Sequence, residues 1–386
     1  MIRQGIELII FDLDGVILSE TGYWDTARLT LWEILEQPKY LGRQGYFGFE
    51  TASTITKSEL RENIAPDSFF NELKRRAINS NWDKTFVLTS LHLAGILNQY
   101  LHCPGSSRSI VHFLHDSTAT TERKLHNIGA VLGNCNYSSI SGTAMINRFL
   151  TDSYSLTGTQ ILEYVRAFAS QQLGDDLKFF APKGELWQLC YQIFQVIYNA
   201  GSPSPLSFRV EEETVADWQR TTATLKVLNE KYKLGIATGR PLGEVIRPLN
   251  DLGLLHYFDK SRIITYDHVV DAEKTIFQED KPIYLGKPHP FVVLKAIYPH
   301  RDIQALLLPE HASTDHSSVL VVGDAASDIL AAKKVNCVSV GVLTGIENTP
   351  AVKQDKVREF SDLGCDIILE SMIELPYTLG LEACDS

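Results

Sequence analysis

The sequence predicts an α/β protein: a parallel sheet wrapped by helices, with a large, mainly α-helical insertion placed after the first strand. Three observations lead there. A continuous apolar run at Ile6 to Phe11 ends at once in Asp12-Leu13-Asp14-Gly15, as a short strand buried on both faces does. From about residue 213 onward, short apolar runs alternate with helix-length amphipathic stretches, the pattern of successive strand–helix units. Between these regions, Tyr23 to Tyr198 shows mainly helical periodicity.

The first strand must join the later sheet, because a lone strand followed by helices has no other partner. Within the insertion, apolar residues at three- and four-residue spacing predict helices at Trp24 to Leu35, Phe69 to Ile78, Phe86 to Leu101, Ile161 to Leu173 and Leu186 to Tyr198. Gly201-Ser-Pro-Ser-Pro205 is the clearest linker and puts a boundary near 210. Beyond it, Trp218, Leu225, Leu228 and Tyr232 mark one face of a helix, and Leu234 to Ala237 is a strand. Pro241 to Leu252 is a helix opened by proline. Arg262 to Thr265, Val319 to Val322 and Val338 to Val342 are further strands, with helices at Pro290 to Ile297 and Ala325 to Val335. The expected domains are residues 1–14 with 213–386 as the core, and 15–212 as the insertion.

Composition narrows the partners. With 44% hydrophobic and 22% charged residues, the chain is globular rather than disordered. Its net charge of −11 repels nucleic acid and anionic lipid. The most apolar stretch, Phe86 to Leu101, carries Thr89, Ser90, His92, Asn98 and Gln99 and reads as a packed helix, not a membrane span. The apolar N-terminal run is interrupted by Glu7 and Asp12, unlike a signal peptide. Cys103, Cys135, Cys190, Cys337, Cys365 and Cys384 form no CxxC pair and have no histidine at zinc-ligand spacing. They are expected to be reduced thiols in a cytoplasm.

Four short segments carry candidate chemistry. Asp12 and Asp14, two apart at a strand end, point to one side if the backbone stays extended, and paired carboxylates invite a divalent cation. Thr238-Gly239-Arg240, between a strand and a helix start, offers a hydroxyl and free N–H groups to a phosphate oxygen. Gly286-Lys287-Pro288-His289-Pro290 pins one lysine between prolines, where its ammonium can neutralise developing charge; His289 reads as a loop or cap residue. Asp324 ends a strand and Asp328 follows in the first turn of a helix. Each alone has an ordinary explanation: an acidic turn, a threonine cap, a solvated lysine, a favourable charge at a helix start. Together they place four carboxylates, one hydroxyl and one lysine around the crevice that open parallel sheets form beyond their carboxyl ends.

In that order these segments resemble the motifs of the haloacid dehalogenase superfamily, over about half of the chain. Gly286 to Pro290 and Gly323 to Lys334 are especially similar to its phosphoglycolate phosphatase-like branch, and an insertion after the first motif resembles that branch's helical cap. The resemblance implies a Rossmann-like core and a Mg²⁺-dependent hydrolase of a small phosphomonoester, phosphoglycolate-like or a sugar phosphate. It implies that Asp12 attacks phosphorus and becomes an aspartyl-phosphate, and that Asp14 acts as acid and base. Thr238, the Gly239 N–H and Lys287 hold the phosphoryl oxygens. Mg²⁺ is held by Asp12, Asp324 and the backbone carbonyl of Asp14; Asp328 supports the metal, directly or through water, or orients Lys287.

The insertion is far longer than is usual in that branch and shows no family cap motif. Its bases Arg28, Arg43, Arg61, Lys183 and Lys74-Arg75-Arg76 are candidate contacts for an acidic substrate, although such residues ordinarily form a solvated face. Gly15 to Glu20 and about Ser202 to Arg209 are the expected hinges. A dehalogenase or phosphonoacetaldehyde hydrolase is disfavoured, because those branches lack the second aspartate. The alternatives are a phosphomutase or phosphotransferase on sugar phosphates, and a non-catalytic phosphate-ligand sensor. Neither nucleic acid nor membrane is an expected partner.

Overall fold

The computed structural model describes residues 5–48, 55–78, 80–133, 140–200, 212–276, 284–308, 310, 314–345 and 349–381. The chain forms two compact units, Met1–Glu20 with Glu212–Ser386, and Thr21–Glu211. The Gly201–Pro205 linker, the expected hinge at Ser202 to Arg209, Cys135 and Cys384 lie outside the described residues. Cys103, Cys190, Cys337 and Cys365 are free thiols.

The first unit is built on parallel strands β1 (Leu8–Phe11), β2 (Lys233–Ala237), β3 (Ile263–Ile264), β4 (His316–Gly323), β5 (Cys337–Val342) and β6 (Ile367–Leu369). Their order is β3-β2-β1-β4-β5-β6. β1 is central, with Phe11 level with Ile236 on one side and Val322 on the other, which is why all four of its residues are buried. Alternation splits the sheet's apolar residues between two layers: Ile9, Phe11, Ile236 and Val322 in one, Leu8, Ile10, Ala237 and Val321 in the other. The chain runs outward from β1 to β3 and then returns to β4. Strand order therefore reverses between β1 and β4, and the crevice at such a switch point is where open α/β sheets bind ligands.

After β1 the backbone turns at Gly15 (φ +74), whose N–H bonds to the Leu18 carbonyl at 2.8 Å. Leu18 then pairs antiparallel with Thr214. Ser19 N–H donates to Glu213 O at 2.8 Å, and Val215 N–H to Ile17 O at 3.0 Å. Residues 15–20, expected in the insertion, thus pair with the returning chain and group with the sheet unit.

The second unit contains helices α1 (Thr21–Glu36), α2 (Lys57–Asn63), α3 (Asp67–Arg75), α4 (Asn81–Leu101), α5 (Ser109–His115), α6 (Thr121–Leu132), α7 (Ile140–Asp152), α8 (Thr159–Leu173) and α9 (Glu185–Ala200). α4 is its axis, packed against α1, α7, α8 and α9, and is opened by Ser80, whose hydroxyl accepts the Asp83 N–H at 3.2 Å. No helix among the described residues is long and apolar enough to cross a membrane.

The bases of this unit are largely held by its own acids. Arg28 is fully buried, its Nε donating to Ala65 O at 2.7 Å, Nη1 to Asp25 at 2.7 Å and Nη2 to Asp67 at 2.6 Å. Arg61 pairs with Asp25, Arg75 and Arg76 with Glu72, and Lys183 with Asp83, while Arg43 donates to the Gly133 carbonyl. Among the candidate substrate contacts, Arg28 thus has all three of its side-chain nitrogens engaged within the unit.

The sheet is covered by α10 (Trp218–Asn229), α11 (Leu242–Asp251), α12 (Tyr266–Thr275), α13 (Phe291–Ile297), α14 (Ile303–Leu306), α15 (Ala326–Lys333), α16 (Pro350–Asp362) and α17 (Leu375–Thr378). The buried face of α10 is Thr221, Thr224, Leu225 and Leu228. Trp218, expected on that face, is 48% exposed and donates its indole N–H to Leu252 O at 3.0 Å.

Candidate active site

The site begins where β1 ends. The Asp12 N–H still donates to Val322 O at 2.8 Å, which fixes its Cα between the ends of β2 and β4. Lys287 reaches it from the turn preceding α13. Its ammonium lies 2.9 Å from Asp12 Oδ1 and 2.6 Å from Asp328 Oδ1, and donates to the Ala237 carbonyl at 3.0 Å. Three acceptors thus meet three N–H bonds. Burial opposes the Lys287 charge, but Asp12 and Asp328 together outweigh it and raise its pKa. Burial, and then the charges of Asp328, Asp324 and Asp14, push Asp12 up to about 8 against the pull of Lys287.

Two further carboxylates come from the end of β4. Gly323 is required there, because a Cβ would lie 2.1 Å from that of Asp328. Asp328 Oδ2 accepts the Ala325 N–H at 3.1 Å, so this residue caps α15 and holds Lys287 at once. Asp324 is 3% exposed and is wedged between backbone turns: a Cβ on Gly15 or on Gly345 would come within 2.3 Å of its Oδ2. Lys356 approaches the same oxygen at 3.7 Å and donates to Thr344 O at 2.9 Å. The Thr344 hydroxyl donates to Gly15 O at 2.6 Å.

Carboxylate oxygens of Asp12, Asp324 and Asp328 lie within 4.8 Å of one another. Hard oxygens so spaced suit Mg²⁺, and a divalent cation would offset the mutual repulsion of these carboxylates, which adds to burial in raising the Asp12 pKa. The residues present therefore fit the metal that the motifs imply. The Asp14 side chain is not in this group, so the carboxylates that the fold gathers are not the Asp12–Asp14 pair suggested by spacing. The chain turns after Leu13, and the Asp14 carboxylate meets Arg240 instead. Arg240 Nη2 lies 2.5 Å from Asp14 Oδ1, and Nε donates to Oδ1 at 3.1 Å and Oδ2 at 3.0 Å.

Thr238 follows β2 and is buried. Its N–H donates to Ile264 O at 3.0 Å, and its hydroxyl oxygen accepts the Arg240 N–H at 3.2 Å, which leaves the hydroxyl hydrogen outside that contact. A Cβ on Gly239 would meet nothing within 4 Å. His289 accepts the Phe291 N–H at 3.2 Å, as a cap residue does. Sequence reasoning missed the roles of Arg240, Glu212, Thr344 and Lys356 in this neighbourhood; all are ordinary residue types joined only by the fold.

Residues 284–363, which hold Lys287, Asp324 and Asp328, match the HAD-hydrolase-like family model. That stretch, which includes β4, α15 and β5, is therefore similar to HAD-like hydrolases. Among solved structures, a Northeast Structural Genomics Consortium crystal structure, target ZR25, is similar at 28% identity over 97% of this chain and 98% of that one, with a TM-score of 0.78. A predicted phosphoglycolate phosphatase from Haemophilus somnus 129pt aligns at 13% identity over 97% and 98%, with a TM-score of 0.40. A HAD family hydrolase from Deinococcus radiodurans R1, with bound phosphate and sodium, aligns at 14% identity over 98% and 96%, with a TM-score of 0.38. No curated protein matches the chain.

Proposed function

We propose that the protein is a Mg²⁺-dependent phosphatase of a small phosphomonoester, working in a cytoplasm through an aspartyl-phosphate on Asp12. The observation that carries the reading is the placement of Asp12: at the end of the central strand, 2.9 Å from the Lys287 ammonium and grouped with Asp324 and Asp328.

An Asp12 oxygen attacks phosphorus as the ester P–O bond breaks, and Asp14 gives its proton to the departing oxygen. Water then attacks the aspartyl-phosphate, Asp14 takes the water proton, and the P–O bond to Asp12 breaks. Lys287, Thr238 and the Gly239 N–H hold the phosphoryl oxygens. Asp12, Asp324, Asp328 and the Asp14 backbone carbonyl are the groups that would hold Mg²⁺. Bound there, the metal would keep Asp12 ionised and shield it from the phosphate charge. The inserted unit Thr21–Glu211 would be the cap that selects the leaving group; its position after the first motif supports that role.

The test is phosphate release with and without Mg²⁺ from phosphoglycolate, sugar phosphates, nucleotides, pyrophosphate and an aryl phosphate, with Asp12→Asn alongside. Release that requires both Mg²⁺ and Asp12 is expected. Release undiminished in Asp12→Asn would overturn the mechanism, and transfer to sugars faster than to water would replace hydrolase by mutase.

A further inference from the structure

Arg240 serves two carboxylates at once. Its Nε and Nη2 engage both oxygens of Asp14, while Nη1 lies 3.0 Å from Glu212 Oε1 and Nη2 donates to Glu212 Oε2 at 3.4 Å. Nη1 also donates to the Glu244 carbonyl at 3.2 Å. The arrangement is deeply enclosed: the side chains of Arg240 and Glu212 are 2% and 6% exposed.

Both Asp14 oxygens are held on the guanidinium; each keeps a second lone pair and the side chain is 21% exposed, but the grip fixes the direction in which Asp14 presents an oxygen. Rotation away from Arg240 would free an oxygen to meet a leaving group or a water. A buried guanidinium left without an anion is strongly destabilising. Glu212 lowers that cost, because it remains on the fork after Asp14 departs. We propose that Arg240 is a positioning residue that stows Asp14 away from the three-carboxylate group, and that Glu212 shares the guanidinium so that Asp14 can be released for each turnover. Glu212 adjoins Glu213 and Thr214, which pair with Ser19 and Leu18, so the release acts where the chain re-enters the sheet unit. This inference rests on the hydrolase reading above.

The experiment compares kcat/KM for phenyl phosphate and 4-nitrophenyl phosphate in saturating Mg²⁺. The two esters are close in shape, but phenolate leaves poorly and needs the proton from Asp14, whereas nitrophenolate does not. Glu212→Gln gives Arg240 wholly to Asp14. The expected result is a fall of about tenfold in kcat/KM for phenyl phosphate, a fraction of the roughly 10²–10⁴-fold that a positioned acid–base group contributes. 4-Nitrophenyl phosphate should be nearly unchanged, as should the Mg²⁺ half-saturation. Arg240→Lys in the Glu212→Gln background loosens the fork and should recover most of the loss. If Glu212→Gln folds poorly, Glu212→Asp, which keeps the charge but shortens its reach, should show the same discrimination at smaller size.

Equal losses on both esters, or no loss on either, overturn the inference while leaving the hydrolase reading intact. A wild type that hydrolyses neither ester overturns that reading, and the inference with it.

Discussion

Lys287 Nζ sits 2.6 Å from Asp328 Oδ1, and the other oxygen of the same carboxylate caps α15 through the Ala325 N–H. The position of the lysine is thereby tied to the start of a helix. Lys287→Met removes the cation that Asp12 and Asp328 share. Breaking a buried pair from one side costs about 3–5 kcal/mol, so urea unfolding in EDTA should show a loss of that order, and Mg²⁺ should restore part of it. A variant as stable as wild type without Mg²⁺ would mean that the two carboxylates are better solvated than their burial indicates.

Gly15 and Gly345 enclose Asp324 so closely that a methyl group on either would press on its Oδ2. Both also have positive φ, +74 and +79, which an L side chain adopts only with strain. Gly15→Ala and Gly345→Ala should each weaken Mg²⁺ binding by tenfold or more, on the order of 1.4 kcal/mol. Isothermal titration with Mg²⁺ reads this directly. Unaltered affinity in both variants would remove Asp324 from the metal group.

Arg28→Lys tests whether the central base of the insertion is structural. One ammonium cannot meet Ala65 O, Asp25 and Asp67 in the geometry of the guanidinium fork. A stability loss of about 2–3 kcal/mol is expected from leaving buried acceptors unpaired, with KM unchanged. A raised KM at unchanged stability would instead make Arg28 a substrate contact.

His92 makes the insertion acid-sensitive. It is fully buried on α4, and burial pushes its pKa down to about 4, although the hydrogen bond to Ile64 O partly opposes this. The unfolded chain, with an ordinary histidine pKa near 6.5, binds more protons than the folded one between those values. Stability from this residue is present above about 6.5 and is lost as pH falls toward 4. Between pH 7 and 5 the loss should be about 2 kcal/mol. Urea unfolding at both values should show a change with pH that differs by this amount between wild type and His92→Gln, since other groups, Asp12 among them, titrate alike in both.

The fold class was legible because β1, β2, β4 and β5 are apolar runs that end in glycine, aspartate or a turn, a pattern that burial on both faces imposes. Other elements carried weaker signals. Thr56-Lys57-Ser58-Glu59 is a capping box, in which Thr56 N–H donates to Glu59 Oε2 at 2.8 Å and Glu59 N–H to Thr56 Oγ1 at 3.2 Å. It announces α2, yet the helix has only one buried residue, Leu60, and so no apolar stripe. Thr349-Pro350 opens α16 with a one-sided cap, the Thr349 hydroxyl accepting the Val352 N–H at 3.4 Å, and proline at the helix start. The half-buried three-residue strand β6 is too short for any periodicity. Within the site, Asp12, Lys287, Asp324 and Asp328 stood out because carboxylates and a proline-pinned lysine are unusual at strand ends. Lys356 did not, since a lysine in a charged helix predicts only solvent. The engagement of Asp14 by Arg240 depends on side-chain directions after a tight turn, which spacing does not encode.

The hydrogen-bonded ladder between Ile17–Ser19 and Glu213–Val215 makes the sheet indifferent to how much chain lies between its two rails. Closing a loop grows costlier only with the logarithm of its length, about 0.6 kcal/mol for each doubling, and here the rails fasten the two ends whatever the length of chain between them. Helices added or removed between the rails would therefore leave the strand pairing of the core as it is.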